Sequence, residues 1–151
     1  MSVGIGYDSH RFEEGRKLIL GGVEIDHPRG LAGHSDADVL THAVIDALLG
    51  AAGAGDIGTH FPDDEEIWRG ADSVDLLHTA VGIVAGRIVN IDATVICEEP
   101  RLGPFRPEME RILGEATSAR ISVKATSNEG MGWIGRGEGI ACIAVASIES
   151  E

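Results

Sequence analysis

Asp8 and His10 stand two residues apart in the segment GIGYDSHRF, and on a strand such residues point to the same face. Asp38, His42 and Asp46 follow at intervals of four in GHSDADVLTHAVIDALLGAAG, which on a helix makes one slowly drifting polar stripe. The rest of that helix is Val39, Leu40, Ala43, Val44, Ile45, Ala47, Leu48 and Leu49. Polar groups in so apolar a helix are costly without a partner or an ion. The two segments are therefore expected to face each other around a metal. Asp8, His10 and His42 supply one carboxylate and two imidazoles, which suit Zn2+ or a similar divalent transition metal. Three protein ligands leave a fourth position open, as catalysis requires. Asp38 or Asp46 would orient His42 through its other ring nitrogen, or be plain acids of the helix surface.

Three further groupings carry polar chemistry. His34 and Ser35 directly precede the helix, where an imidazole and a hydroxyl suit an anionic group; Ser35 reads equally well as the plain N-cap, with Asp38 in the first turn. In KATSNEGMGWIGRGEG, Lys124 to Gly139, Thr126 and Ser127 follow a strand and Glu129 offers a carboxylate to a hard cation such as Mg2+. Arg136 lies between glycines that allow close backbone approach. Together these suit a diphosphate with a bridging divalent ion, and alone they also describe a glycine-rich turn. EEPRLGP, Glu98 to Pro104, is a stiff loop whose backbone groups could read a flat heterocycle.

The elements that must position these residues follow from periodicity and punctuation. Residues 2–7 read as a strand, 17–25 as a hairpin broken at Gly21-Gly22, and 27–33 as a loop. The helix runs to about Ala52 and stops at Gly53-Ala54-Gly55. Residues 55–73 are a turn-rich acidic loop. A second helix is expected from Asp72 or Ser73 to Ala85, a strand over 88–97 with Asn90, Asp92 and Thr94 on one face, and a third helix over 104–116. Phe105, Met109, Ile112, Leu113 and Ala116 mark that helix's buried side. Strands over 121–125 and 140–148 flank the glycine-rich connection. The order predicts an α/β (α+β two-layer) domain: one mixed sheet with helices packed on one face. The last strand, IACIAVASI, is apolar on both faces, so its second face is expected to be covered by another copy of the chain.

Length and composition bound the function. The 151 residues form one domain, 1–151, with 43% hydrophobic residues and no apolar run of the ~18 residues that spans a bilayer. MSVGIGYDSH has no basic stretch followed by an apolar core, so it is no secretory leader and a cytoplasmic location is expected. Against 25 acids stand only 12 Lys and Arg, which argues against nucleic-acid binding while leaving room for a small phosphorylated ligand. Cys97 and Cys142 sit in apolar runs without CxxC spacing and read as buried thiols.

Taken together, GIGYDSHRF, LGGVEI, GHSDADVLTHAVIDALLGAAGAGDIGTHFPD, GADS, the PRL segment, KATSNEG and GRGEGIA closely resemble the 2-C-methyl-D-erythritol 2,4-cyclodiphosphate synthase family, over essentially the whole chain. The resemblance implies a phosphorus–oxygen lyase of the non-mevalonate isoprenoid pathway. Its substrate would be 4-diphosphocytidyl-2-C-methyl-D-erythritol 2-phosphate, whose 2-phosphate attacks the β-phosphorus and expels CMP.

The resemblance also assigns roles. Asp8, His10 and His42 would hold Zn2+ against the β-phosphate, and Glu129 would hold Mg2+ or Mn2+ bridging the α- and β-phosphates. His34 and Ser127 would stabilise the transition state. Ser35, Asp56, Ile57, Gly58 and the loop Phe61, Pro62, Asp63, Asp64 and Glu65 would bind the methylerythritol phosphate end. Pro100, Arg101, Leu102, Gly103, Thr126, Trp133 and Arg136 would hold the cytidine diphosphate end, and Asn128 would also bind substrate. It further implies a homotrimer with sheets facing a central threefold axis, active sites between neighbouring copies, and a central cavity that can hold an isoprenoid diphosphate. Where the family commonly reads FPDTD this chain has FPDDE, Ser127 replaces a frequent Thr, and the segment before the Asn90 strand is a few residues short. Two other readings use the same residues: a metal-dependent phosphohydrolase acting on a nucleotide-linked substrate, and a non-catalytic trimeric module.

Overall fold

Glycine alternates with large apolar residues at the start of the chain, and that alternation shapes the molecule. In the computed structural model, which describes residues 1–150, Val3, Ile5 and Tyr7 point to one side of strand β1 (Ser2–Glu14) and Gly4 and Gly6 to the other. Helix α1 (Val39–Ala51) lies on the glycine side. A Cβ placed on Gly6 would sit 2.7 Å from Ala47 N and closer still to the Ala43 carbonyl; one on Gly4 would strike the backbone of Ala47 and Ala51. The alanine stripe of α1 thus packs main chain to main chain on β1, an approach only glycine permits.

The main sheet has the order β4-β1-β7-β5-β6, with β4 Arg29–Leu31, β5 Arg87–Ile96, β6 Arg120–Thr126 and β7 Gly139–Glu149. It is mixed: β5 and β6 run parallel and the other neighbours antiparallel. A parallel pair needs a crossover, which α4 (Arg106–Thr117) supplies. Helix α3 (Ser73–Ile83), capped by Asp72, packs on α1 and α4. A separate hairpin, β2 (Leu18–Leu20) and β3 (Val23–Ile25), turns at Gly21 and Gly22, whose φ values of 58° and 76° are the left-handed pair a two-residue hairpin needs. Its turn lies against Leu40, Met109 and Ile112. The three longer helices therefore share one face of the sheet, as expected. Leu40, Ile45, Leu48 and Leu49 are fully buried, each contributing roughly 1.5–3 kcal/mol.

Several boundaries differ from expectation. β1 runs to Glu14 rather than ending at Tyr7, because its polar second half pairs with β7 and β4. Residues 27–33, expected as a loop, contain β4. The acidic 55–73 stretch folds into helix α2 (Ile57–His60) and a 3-10 turn at Glu66–Trp68, and the glycine-rich connection into helix α5 (Gly132–Gly135). α4 starts at Arg106, after a 3-10 turn at Gly103–Phe105.

Across β1 and β7 the opposite face of the sheet is open and apolar, while β5 and β6 continue it with Asp92, Thr94 and Lys124. Val3, Ile5 and Tyr7 are 65%, 70% and 56% exposed, and the register places Ile5 beside Val145 and Tyr7 beside Ile143. The other side of β7 is packed under α1 through Cys142, Ala144 and Ala146. Both cysteines are buried free thiols, and burial pushes the Cys97 thiol up to about 11. Among the described residues no helix is long and apolar enough to cross a membrane.

Candidate functional site

Asp8 and His10 continue the glycine side of β1, so the residues that seat α1 and the residues that carry chemistry share one face. The close seating of Ala43 on Gly6 delivers the neighbouring His42 to the same place. Asp8 Oδ2 lies 2.8 Å from His10 Nε2 and 3.2 Å from His42 Nδ1, and the two nitrogens are 3.4 Å apart. A tetrahedral zinc with bonds of ~2.0–2.1 Å spaces its ligands about 3.3 Å apart. One oxygen and two nitrogens at these separations, of the donor types that zinc prefers, fit a single divalent ion.

The groups also perturb one another. Burial works to raise the Asp8 carboxyl, but the two imidazoles beside it, His10 and His42, outweigh it and hold the group below the ordinary carboxylate value. Burial works to lower His10, while Asp8 and the Ala32 carbonyl leave it raised. His10 Nδ1 donates to that carbonyl at 2.7 Å.

The expected orienting acids do not orient His42. Asp38 is the N-cap of α1, with non-helical backbone, and its carboxylate accepts from Thr41 N, Thr41 Oγ1, Gly21 N and Gly22 N. It locks the hairpin turn onto the helix start. Asp46 accepts from Ile57 N at 3.1 Å and holds α2. Ser35 is correspondingly not the cap: its Oγ accepts from Ala37 N and lies 3.2 Å from His42 Nε2. The nearer partner of that nitrogen is Ser73 Oγ at 2.8 Å, and Ser73 Oγ donates to Asp36. Neither Ser73 nor Asp36 was marked by sequence. Arg16, also unmarked, donates to Gly33 O and Ser35 O at 2.6 and 2.7 Å, clamping the backbone on both sides of His34.

These residues open onto a cavity of about 600 Å3. His34, Ser35, Ile57 and Gly58 line it beside the triad, with Phe61, Pro62, Asp63 and Asp64 opposite. Two expected members stand differently. Glu65 presents its backbone carbonyl to His34 Nε2 at 2.9 Å, and Asp56 is the cap of α2, accepting from Thr59 N and Oγ1. Trp68, unmarked by sequence, meets Phe61 edge-on in the cavity wall.

The second half of the expected site is elsewhere on the chain. Pro100, Arg101, Leu102, Gly103, Thr126 and Ser127 line a separate pocket of about 480 Å3. Beyond it, Glu98 Oε1 accepts from Asn128 N and Gly130 N, fixing the turn that holds Glu129 exposed in a left-handed conformation, φ 54°. Trp133 faces a cleft beside His10 and Arg29, and Arg136 pairs with Glu138 at 2.7 Å. Ser9, Ala141, Ile96 and Thr126 form one row across the sheet, so β6 lies three strand spacings from β1, roughly 14 Å at ~4.8 Å each. Alternation puts Thr126 on the face opposite Asp8 and His10. Within one chain, then, His34 and Ser127 belong to different pockets.

Comparison with known proteins covers both halves. The YgbB family model matches residues 1–149. A 2-C-methyl-D-erythritol 2,4-cyclodiphosphate synthase of Symbiobacterium thermophilum is 56% identical, spanning 98% of each chain. Among solved structures, the CDP-bound form of a 2C-methyl-D-erythritol-2,4-cyclodiphosphate synthase superposes with a TM-score of 0.88 at 35% identity, covering 97% of this chain and 99% of that one. The CDP complex of IspF from Plasmodium falciparum gives 0.83 at 31% identity, covering 99% and 97%.

Proposed function

The chain belongs to the YgbB family, and from that premise we propose that it converts 4-diphosphocytidyl-2-C-methyl-D-erythritol 2-phosphate to 2-C-methyl-D-erythritol 2,4-cyclodiphosphate and CMP. The observation that carries the reading is the convergence of Asp8, His10 and His42 on one point in the wall of a cavity, in a chain aligned end to end with such synthases. When bound, a zinc-like ion on those three residues and a magnesium or manganese ion on Glu129 would supply positive charge to the phosphate oxygens.

The chain itself needs no nucleophile, since the substrate brings its own. An oxygen of the 2-phosphate bonds to the β-phosphorus, the bond from that phosphorus to the bridging oxygen breaks, and CMP leaves with the electron pair. What the protein contributes is folding of the substrate and donors aimed at the reacting phosphate. His34, held by Arg16 and Glu65, and Ser127, held in the Glu98-braced turn, are assigned that role. Ser35, Asp56–Gly58 and the Phe61–Glu65 loop take the methylerythritol phosphate. Pro100–Gly103, Thr126, Trp133 and Arg136 take the cytidine diphosphate, and Asn128 contributes to substrate binding.

Two features support assembly into a homotrimer around a threefold axis. The open face carries contiguous Ile5, Val145, Tyr7 and Ile143, the kind of patch that marks an interface. The two pockets of one chain share no lining residue and their strands β1 and β6 stand three spacings apart, so one chain's triad and another's Ser127 pocket would complete the site between them. An isoprenoid diphosphate is the assigned occupant of a cavity on that axis.

Phosphorus NMR of the reaction with Mg2+ present tests the chemistry: a cyclic diphosphate with stoichiometric CMP is expected, and inorganic phosphate or a linear product overturns it. Light scattering should give three times the chain mass, and a monomer refutes the shared site.

A further inference from the structure

The polarity of one hydrogen-bonded chain decides where the proton of His42 sits. Ser73 is fully buried and its Oγ contacts two groups, Asp36 Oδ1 and His42 Nε2. A hydroxyl has one proton to give, and a carboxylate can only accept. The Ser73 proton therefore goes to Asp36, and Ser73 Oγ accepts from His42 Nε2. Neutral imidazole carries one N–H, so Nδ1 is left with a bare lone pair, pointing at Asp8 Oδ2 and His10 Nε2. The backbone carbonyl of Ala32 does the same for His10 from the other side, fixing Nδ1–H and freeing Nε2.

The turn that makes this possible is built for it. Ala37 takes a left-handed φ of 57° and its amide donates to Ser35 Oγ, which lies 3.2 Å from His42 Nε2. Asp36 is itself held as a pure acceptor: Oδ2 receives Ser73 N at 3.0 Å and Oδ1 receives Asp38 N at 3.1 Å. The Asp36 amide donates to Ala71 O, tying the turn to the start of α3.

We propose that Asp36 and Ser73 are positioning residues that lock His42 as the Nε2–H tautomer, presenting Nδ1 ready to bind a divalent metal. The proposal rests on the reading of Asp8, His10 and His42 as metal ligands. The roles are not symmetric: a carbonyl is fixed by the backbone, whereas Asp36→Asn puts a donor where an acceptor stood and can reverse the path, sending a proton from Ser73 to His42 Nε2 and closing Nδ1.

The test uses full-length protein stripped of metal, Zn2+ as the probe and a competing chelator as the reference. Asp36→Asn and Ser73→Ala are each expected to weaken Zn2+ binding roughly 10–100-fold, the usual effect of removing a partner of a ligating imidazole. In metal-free protein at alkaline pH, nitrogen NMR of labelled histidine should show His42 as Nε2–H in the wild type and shifted toward Nδ1–H in Asp36→Asn. Ser73→Ala keeps both backbone bonds to Asp36 and serves if Asp36→Asn does not fold. Wild-type affinity in a folded variant overturns the proposal, as does weakened affinity with the tautomer unchanged in Asp36→Asn. Should wild type and His42→Ala bind Zn2+ alike, the ligand assignment itself fails, a distinct outcome.

Discussion

The triad end and the Pro100–Arg136 end of the molecule are built on opposite principles. Around Asp8, His10 and His42 the side chains are braced before any ligand arrives. Asp38 takes four donors, Ser73 bridges Asp36 to His42, Ala32 holds His10, and α1 rests on glycine backbone. At the other end the bracing falls mostly on main chain, with Arg136 held by Glu138 and Asn128 by the Met131 carbonyl. Glu98 holds the amides of Asn128 and Gly130, while Glu129, Arg101 and Ser127 stand exposed. An ion demands fixed donors at fixed distances, so its ligands are set by the fold. A flexible diphosphate can draw mobile groups to itself, and such groups remain free until it does.

The contrast is broken most severely at Gly6. Gly6→Ala places a methyl group against the main chain of Ala43 and Ala47, which cannot rotate away. The cost should exceed the ~1–3 kcal/mol of ordinary overpacking, lowering the melting midpoint by about 10 °C or more at ~2–4 °C per kcal/mol. A circular dichroism melt within a few degrees of wild type would show that α1 can lift from β1. Next in size is His42→Ala. It should empty the site of metal and reduce turnover about a thousandfold, several kcal/mol of charge stabilisation at ~1.4 kcal/mol per decade, while the fold survives. Metal analysis finding wild-type zinc content would remove His42 from the ligand set. The smallest effect belongs to the exposed end. Glu129→Ala should raise the Mg2+ concentration for half-maximal turnover about tenfold and leave stability within ~0.5 kcal/mol, since the side chain is exposed. An unchanged Mg2+ titration would cancel its role.

The same division governs what could be read from the sequence. Asp8 and His10 were legible because a two-residue spacing has one meaning on a strand, and His42 because it is polar in an otherwise apolar helix. Asp38 misled for a local reason. The four-residue spacing assumes helical backbone, but Asp38 precedes the first helical residue with ψ 89°, so its side chain turns toward Gly21 and Gly22 instead. Ser73 and Asp36 left no such trace, being partners across 37 positions that only tertiary packing joins. The polar half of β1 lacked an apolar pattern and is a strand by virtue of its neighbours. Trp133 joins Thr126 only through the resemblance; α5 places it beside His10 and Arg29, and Arg136, directly after that helix, lines a neighbouring cleft.

One strand serves two masters. On β1, Gly4, Gly6, Asp8 and His10 look inward while Val3, Ile5 and Tyr7 look out. A slip of a single residue in its pairing with β7 would exchange the two sets at a stroke: tyrosine would be driven into the alanine groove and imidazole out into bulk water. No half-correct alignment retains either the ion cage or the greasy exterior, so quality control over this one ladder is quality control over the whole protein.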